Sequence, residues 1–135
     1  MSWDIYIQHF PNVPSVAEIP ADFRPSTIGT KEALLQKILA IVPFAEQQDE
    51  GWLFVRTDEI DLSIELVLEA GTDRLSHVIV YVHEGPKAAL CVAAILRGLG
   101  LRALDTAAGE FFDVDQGGRS ASEWSAYRDR VLKGR

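Results

Sequence analysis

The chain has 135 residues, of which 47% are hydrophobic and 24% are charged. This composition is typical of a globular protein and excludes intrinsic disorder, collagen and coiled coil. At roughly 150 residues per domain, the length predicts one domain over residues 1–135. Thirteen basic and twenty acidic residues give a net charge of −7. A strongly acidic chain argues against nucleic acid or an anionic membrane surface as the main partner, because both require a basic footprint.

The charge is unevenly distributed along the chain. Between Glu46 and Glu69 there are eight acidic residues and a single basic one, Arg56, whereas residues 119–135 contain five basic and two acidic residues. Such polarity favours the electrostatic steering of a charged partner. We expect a basic protein to be attracted by an acidic steering patch in the middle of the chain, formed by Asp58, Glu59 and Asp61.

The single cysteine and the first residues bear on the cellular compartment. Cys91 lies in an apolar run and has no second cysteine to pair with, which fits a reducing compartment. The first ten residues lack the basic n-region of a signal peptide, and the apolar runs are too short to cross a bilayer. These patterns predict a cytoplasmic protein with no membrane association.

The first third of the chain predicts a strand, a long loop and a helix. Residues 3–10 alternate between apolar and polar positions, as a half-buried strand does. Residues 11–29 are rich in proline and predict an ordered extended loop, here called the strap. Residues 31–42 have apolar side chains at helical spacing, with Thr30 as the N-cap and Pro43 after the end.

The remaining elements predict the fold class. Alternation and short polar turns indicate three consecutive strands, at 52–57, 61–68 and 76–83. A nearly all-apolar helix at 86–99 precedes short strands at 101–104 and 110–114, and Ser120 opens a third helix that ends near Lys133. The order β-α-β-β-β-α-β-(β)-α predicts an α+β fold, a two-layer sandwich in which helices cover one face of an antiparallel sheet of about five strands.

Alternation also predicts a binding face on this sheet. Val78, Val80 and Val82 suit packing under the helices, so the opposite face carries the intervening side chains. That face brings together aromatic, histidine, arginine and glutamate residues: Tyr6, Trp52, Phe54, Arg56, Glu65, His77, Tyr81 and His83. Aromatic residues and arginine dominate binding hot spots, so these residues are the predicted partner-binding site. Alternatively, the third helix or the strap covers this face and buries the aromatic rings within the molecule.

Catalytic and cofactor motifs give no signal. His77 and His83 share a strand face but stand about 20 Å apart at about 3.3 Å per residue, too far to bind one metal ion. We therefore predict no catalytic residue, no metal site and no cofactor. The alternative is a small-ligand or enzyme site between the strap and the sheet, which would draw on a cluster of ionisable groups: His9, Glu65, His77, Tyr81 and His83.

Two segments carry a resemblance. They are Ile19–Pro25 (IPADFRP), which leads into Ile28–Thr30, and Leu99–Thr106 (LGLRALDT), which is followed by Gly109–Phe111. Together they are similar to segments of a group of small bacterial proteins of unassigned function. The resemblance implies no activity or site, but it implies that the strap and the turn at residues 105–111 belong to the fold.

The element order gives a second resemblance. From residue 30 onward, α-β-β-β-α-β-β-α resembles the type III secretion chaperones, which are small acidic cytoplasmic homodimers that hold an extended segment of a secreted effector. The N-terminal strand and the strap depart from that pattern. We therefore expect a non-catalytic protein-binding module, like an immunity protein that neutralises a toxin or like a secretion chaperone. A homodimer that pairs through the sheet face is a further hypothesis.

Overall fold

The computed structural model describes residues 2–49, 51–114 and 121–134. Within them, eight strands form one sheet: β1 Trp3–Gln8, β2 Gly29–Thr30, β3 Glu46–Asp49, β4 Trp52–Arg56, β5 Asp61–Leu68, β6 Arg74–Glu84, β7 Arg102–Asp105 and β8 Glu110–Phe111. The α-helices are α1 Lys31–Ile41, α2 Ala88–Leu99 and α3 Ala121–Lys133. The predicted α+β class is confirmed, although the expected number of strands was too low. The expected cap Ser120 lies outside the described residues.

The strand order places the first strand in the middle of the sheet. The order is β3-β4-β5-β6-β1-β7-β8, and β2 pairs with the first residues of β6. Every pairing is antiparallel. The meander β4-β5-β6 is the one that alternation and short turns predict. The position of β1 between β6 and β7 is a long-range arrangement that local patterns do not encode.

Two short strands account for most of the difference in strand number. The outermost strand, β3, consists of Glu46–Asp49, and all four of its side chains are exposed. A polar strand on a sheet edge has no buried face, so it has no alternation to detect. The other strand, β2, has two residues and lies at the end of the strap. The strap is otherwise irregular, as predicted, apart from one 3₁₀ turn at Val16–Glu18.

The hydrophobic core lies between one face of the sheet and the helices. Helix α1 begins where the Thr30 side chain accepts a hydrogen bond from the Ala33 amide at 3.2 Å. The strands contribute alternate side chains to this core: Ile5, Ile7, Leu53, Val55, Leu62, Ile64, Leu66, Val78, Val80, Val82 and Ala103. Helix α2 is the most buried helix, as its apolar sequence predicts. Burial of each such aliphatic side chain is worth about 1.5–3 kcal/mol, so the pattern determines which face meets the helices.

Helix α3 packs on the same side of the sheet as the other helices. The Trp124 indole Nε1–H donates to the Ile41 carbonyl at 3.2 Å, and its ring lies 6.0 Å from the Phe44 ring. The Tyr127 hydroxyl is 2.6 Å from the Thr57 hydroxyl at the end of β4. The third helix therefore leaves the opposite sheet face uncovered. Within the described residues, none of the helices is long and apolar enough to span a membrane.

Candidate protein-binding face of the sheet

All eight residues of the predicted binding site lie on the side of the sheet that faces away from the helices. We call this side the open face. The strand register aligns its side chains in rows across the sheet, since Trp52 pairs with Glu65, Glu65 with Ile79, and Ile79 with Tyr6. Phe54, Ser63 and Tyr81 are aligned across the neighbouring strands in the same way. Directly opposed side chains on one face are close enough to interact, so the register itself builds the cluster.

Three aromatic rings and one arginine form a continuous row on the open face. The Trp52 ring stacks on Tyr81, with centroids 5.8 Å apart, and on Phe54, with centroids 6.1 Å apart. The Arg56 guanidinium lies 4.5 Å from the centre of the Phe54 ring. We call these four residues the aromatic row. The rings are half-buried and already ordered by their neighbours, so a partner that packs on them loses little side-chain entropy.

A tyrosine–carboxylate pair lies beside the aromatic row. The Tyr81 hydroxyl donates a hydrogen bond of 2.8 Å to the Glu65 carboxylate. Burial, followed by the hydrogen bond to Glu65 and its negative charge, raises the pKa of Tyr81 to about 12. The phenol therefore remains a neutral donor at physiological pH. Among the described residues, no lysine or arginine forms an ion pair with Glu65, which is half-buried.

The two histidines of the open face lie at opposite ends of β6. His77 stacks on Tyr6 with ring centroids 6.1 Å apart, and its Nδ1 is 2.8 Å from the Ser76 hydroxyl. His83 Nε2 lies 2.9 Å from the Ser63 hydroxyl. A serine beside a histidine is the arrangement of an activated nucleophile, but Ser63 is only 7% exposed. The hydrogen bond therefore holds the imidazole against the sheet rather than presenting the serine to a substrate.

A metal ion or a small molecule would require a cluster of ligands or a cavity. In the part of the chain that the structure describes, no group of three or more histidine, cysteine, aspartate or glutamate side chains is arranged to hold a metal ion. His9 follows β1 and is exposed. One polar cavity of about 340 Å³ lies between the end of β4 and α3, and a more apolar one of about 270 Å³ lies between the three helices. Neither cavity is lined by a residue of the strap, whereas a third cavity, of about 470 Å³, lies at Thr30 and Asp73, just beyond the end of the strap.

The strap is held at the β7–β8 end of the sheet by residues that the predicted site did not include. The Arg102 guanidinium lies 3.6 Å from the centre of the Phe111 ring and donates to the carbonyls of Pro11 and Val13 at 2.9 and 2.8 Å. The Glu110 carboxylate accepts from the Val16 amide at 2.7 Å. Because these contacts join segments about ninety residues apart, no local pattern predicts them. The strap thus borders the open face at its β7–β8 end.

Two residues of the acidic steering patch, Asp58 and Glu59, lie on the turn between β4 and β5, and the third, Asp61, is the first residue of β5. The Thr57 hydroxyl accepts from the amides of Glu59 and Ile60 and orders this turn. The Glu59 carboxylate pairs with Arg130 at 2.8 Å. An exposed ion pair of this kind adds about 0–1 kcal/mol to stability, but it removes much of one negative charge from the field that a partner meets. Glu59 therefore contributes less to that field than its charge alone suggests, and Asp61 lies opposite Arg56 in the β4–β5 register.

Comparison with known proteins adds nothing to this geometry. No protein-family model, curated protein or solved structure matches the chain. The similarity to small bacterial proteins and to secretion chaperones remains a prediction from sequence. Any assignment of function must therefore come from the open face and from the charge around it.

Proposed function

We propose that this chain is a non-catalytic protein-binding module that docks on a basic partner protein through its open face. The observation that carries the proposal is the aromatic row, in which Trp52, Phe54 and Tyr81 are stacked side by side on the helix-free side of the sheet. Tryptophan, tyrosine and arginine are the residues most enriched in binding hot spots. Rings that are ordered before binding are typical of preorganised interfaces.

Charge supports a basic partner. The chain carries a net charge of −7, and the turn with Asp58 and Asp61 lies directly beyond Arg56 at the end of the aromatic row. The exposed strand β3 adds Glu46 and Asp49 on the neighbouring edge. An acidic rim around an aromatic centre accelerates encounter with a basic surface and disfavours acidic competitors.

Two biological roles fit this description. An immunity-like protein would cover a toxin, and a secretion chaperone would hold an extended segment of an effector. Both require a protein partner on an ordered surface, and both are compatible with an interface of about 800 Å² on each side. The identity of the captured partner distinguishes the two roles.

The test compares three immobilised baits in lysate from the source cells. The first is the wild type, the second is Trp52→Ala, and the third is a control, Leu132→Ala, which removes an exposed apolar side chain from α3. Circular dichroism and urea unfolding establish that all three baits are folded. We expect one protein to be retained by the wild type and the control and lost with Trp52→Ala. Loss of a central hot spot costs about 2 kcal/mol or more, which is about thirtyfold in affinity for the purified partner.

Two results would refute the proposal. Equal retention by Trp52→Ala would show that the open face is not the docking site. No retained protein with any bait would remove the protein-binding role. Sedimentation of the purified chain provides a separate measurement, because concentration-dependent self-association that is lost in Trp52→Ala would identify a second copy of the chain as the occupant of the face.

A further inference from the structure

Glu65 is an acidic residue of the open face whose neighbours are mainly aromatic and aliphatic. The residue is half-buried beside two aromatic neighbours, Trp52 across the strand pair and Tyr81 through a hydrogen bond. These two rings stack on each other with centroids 5.8 Å apart. Ile79, the register partner of Glu65 on β6, is 8% exposed and forms an apolar flank. The Glu65 charge is thus set among aromatic and aliphatic groups, and a second acid, Asp4, is the register partner of Tyr81 on β1.

The carboxylate retains unused hydrogen-bonding capacity. An ionised carboxylate accepts at about four lone-pair positions, and the Tyr81 hydroxyl occupies one of them. No basic side chain of the described residues forms an ion pair with Glu65. The nearest basic residue on the row, Arg56, is committed to the Phe54 ring at the other end. A charge placed in a partly apolar site gains most when an opposite charge is buried against it.

We propose that Glu65, with Trp52 and Tyr81, forms a recognition site for an arginine side chain of the partner. The inference rests on the proposed docking role of the open face and specifies the chemistry of one contact in it. In this arrangement the guanidinium would donate to the free lone pairs of the Glu65 carboxylate while it packs against the part of the Trp52 side chain that Tyr81 and Phe54 leave exposed. Glu65 supplies the charge, and Trp52 supplies the aromatic surface.

The arrangement favours arginine over lysine. A guanidinium is planar, donates in a fork that matches a carboxylate, and stacks on aromatic rings, whereas an ammonium is a compact and strongly hydrated charge. Arginine lies over an aromatic ring elsewhere in the chain: Arg56 over Phe54 at 4.5 Å, Arg102 over Phe111 at 3.6 Å and Arg130 over Tyr127 at 5.1 Å. Cation–π contacts contribute about 0.5–1 kcal/mol at exposed sites and more where water is excluded.

The test is a titration with small probes, so that it does not depend on the natural partner. The probes are N-acetyl-arginine methylamide, its uncharged isostere N-acetyl-citrulline methylamide, and the corresponding lysine derivative. Binding is followed through the indole N–H resonance of Trp52. The other two indoles are internal references, since Trp3 donates to Asp105 at 2.7 Å and Trp124 to Ile41.

Two variants accompany the wild type. Glu65→Gln removes the charge but retains a carbonyl that can accept from Tyr81. Glu69→Gln removes an exposed acid just beyond the end of the same strand and serves as the matched control. We expect a saturable shift of the Trp52 resonance with arginine in the wild type and the control. In Glu65→Gln the affinity for the arginine probe should fall about tenfold or more, because a charge-assisted hydrogen bond is lost.

Each other result overturns the proposal. No shift of the Trp52 resonance, equal shifts with citrulline, or unchanged affinity in Glu65→Gln would show that the site does not recognise the guanidinium charge. Equally tight binding of the lysine probe would refute the preference for arginine. These failures are separable from failure of the docking role, because capture that is lost in Trp52→Ala but retained in Glu65→Gln would leave the open face as the interface without the arginine site.

Discussion

The turn between β6 and α2 depends on Gly85, whose φ of +117° lies in a region that side chains disfavour. A Cβ at this position would overlap the Glu59 carbonyl oxygen and lie 2.8 Å from the Cα of Ile60. The same carbonyl accepts a hydrogen bond from the Lys87 amide at 3.0 Å. The close approach therefore joins the start of α2 to the acidic turn after β4. We predict that Gly85→Ala destabilises the fold more than alanine at other positive-φ glycines.

Gly71 provides the matched control for this prediction. Its φ is +78°, and a Cβ added there meets nothing within 4 Å. Alanine at Gly71 therefore incurs only the conformational cost of positive φ, about 1–2 kcal/mol. At Gly85 the backbone overlap adds about 1–3 kcal/mol of strain. The expected free-energy loss is thus about 2–5 kcal/mol for Gly85→Ala, a large fraction of the roughly 5–15 kcal/mol that stabilise a typical domain.

Urea unfolding followed by tryptophan fluorescence measures both losses. The comparison is valid if the slope of the unfolding free energy against urea is the same in the wild type and both variants, since an altered slope indicates a changed denatured state. We expect the midpoint of Gly85→Ala to lie clearly below that of Gly71→Ala. Equal midpoints would contradict the reasoning, because they would mean that the chain relaxes around the new methyl group without strain.

Three further predictions concern charge and burial. Joint replacement of Asp58 and Asp61 with asparagine should slow association with a basic partner several-fold at low salt. The effect should be small at higher salt, where the Debye length falls below about 10 Å. An association rate that is unchanged at low salt, measured by stopped-flow, would refute electrostatic steering by these residues. Because burial and Glu65 raise the pKa of Tyr81 from 10.0 to about 12, the neutral phenol stabilises the fold fully below pH 10 and loses that contribution as the pH rises to 12. Glu65→Gln should lower the Tyr81 midpoint in an ultraviolet titration, and an unmoved midpoint would count against this cause. Complete burial raises the pKa of Cys91 to about 12, so a thiol reagent should react far more slowly in buffer than in urea, and equal rates would disprove the burial.

Local patterns predicted the elements that have one buried face. Helix α1 begins at Lys31, after the Thr30 cap, and β5 spans Asp61–Leu68, as the sequence predicts. The alternation of β6 assigned Val80 to the core and Tyr81 to the open face, because a side chain on the wrong side would expose apolar surface to water. The predicted strand at 76–83 extends to Arg74–Glu84, since strand pairing continues beyond the alternating segment.

Elements without a buried face could not be predicted in this way. The exposed strand β3 owes its conformation to hydrogen bonds with β4 and not to its own side chains. Glu59 and Arg130 are 71 residues apart in the chain, so the sequence gives no indication that they form an ion pair. Both cases depend on partners that are distant along the chain and become neighbours only on folding.

The sequence by itself determined the α+β class, the position of the main helices and the set of side chains on each face of the sheet. It could do so because hydrophobic burial acts on every residue locally, with a period of 2 in strands and about 3.6 in helices. Only the tertiary structure decided that α3 packs beside α2, that β1 lies between β6 and β7, and that Glu65 accepts a hydrogen bond from Tyr81. These features depend on which strands pair and in which register, and that choice is made by the packing of the whole chain.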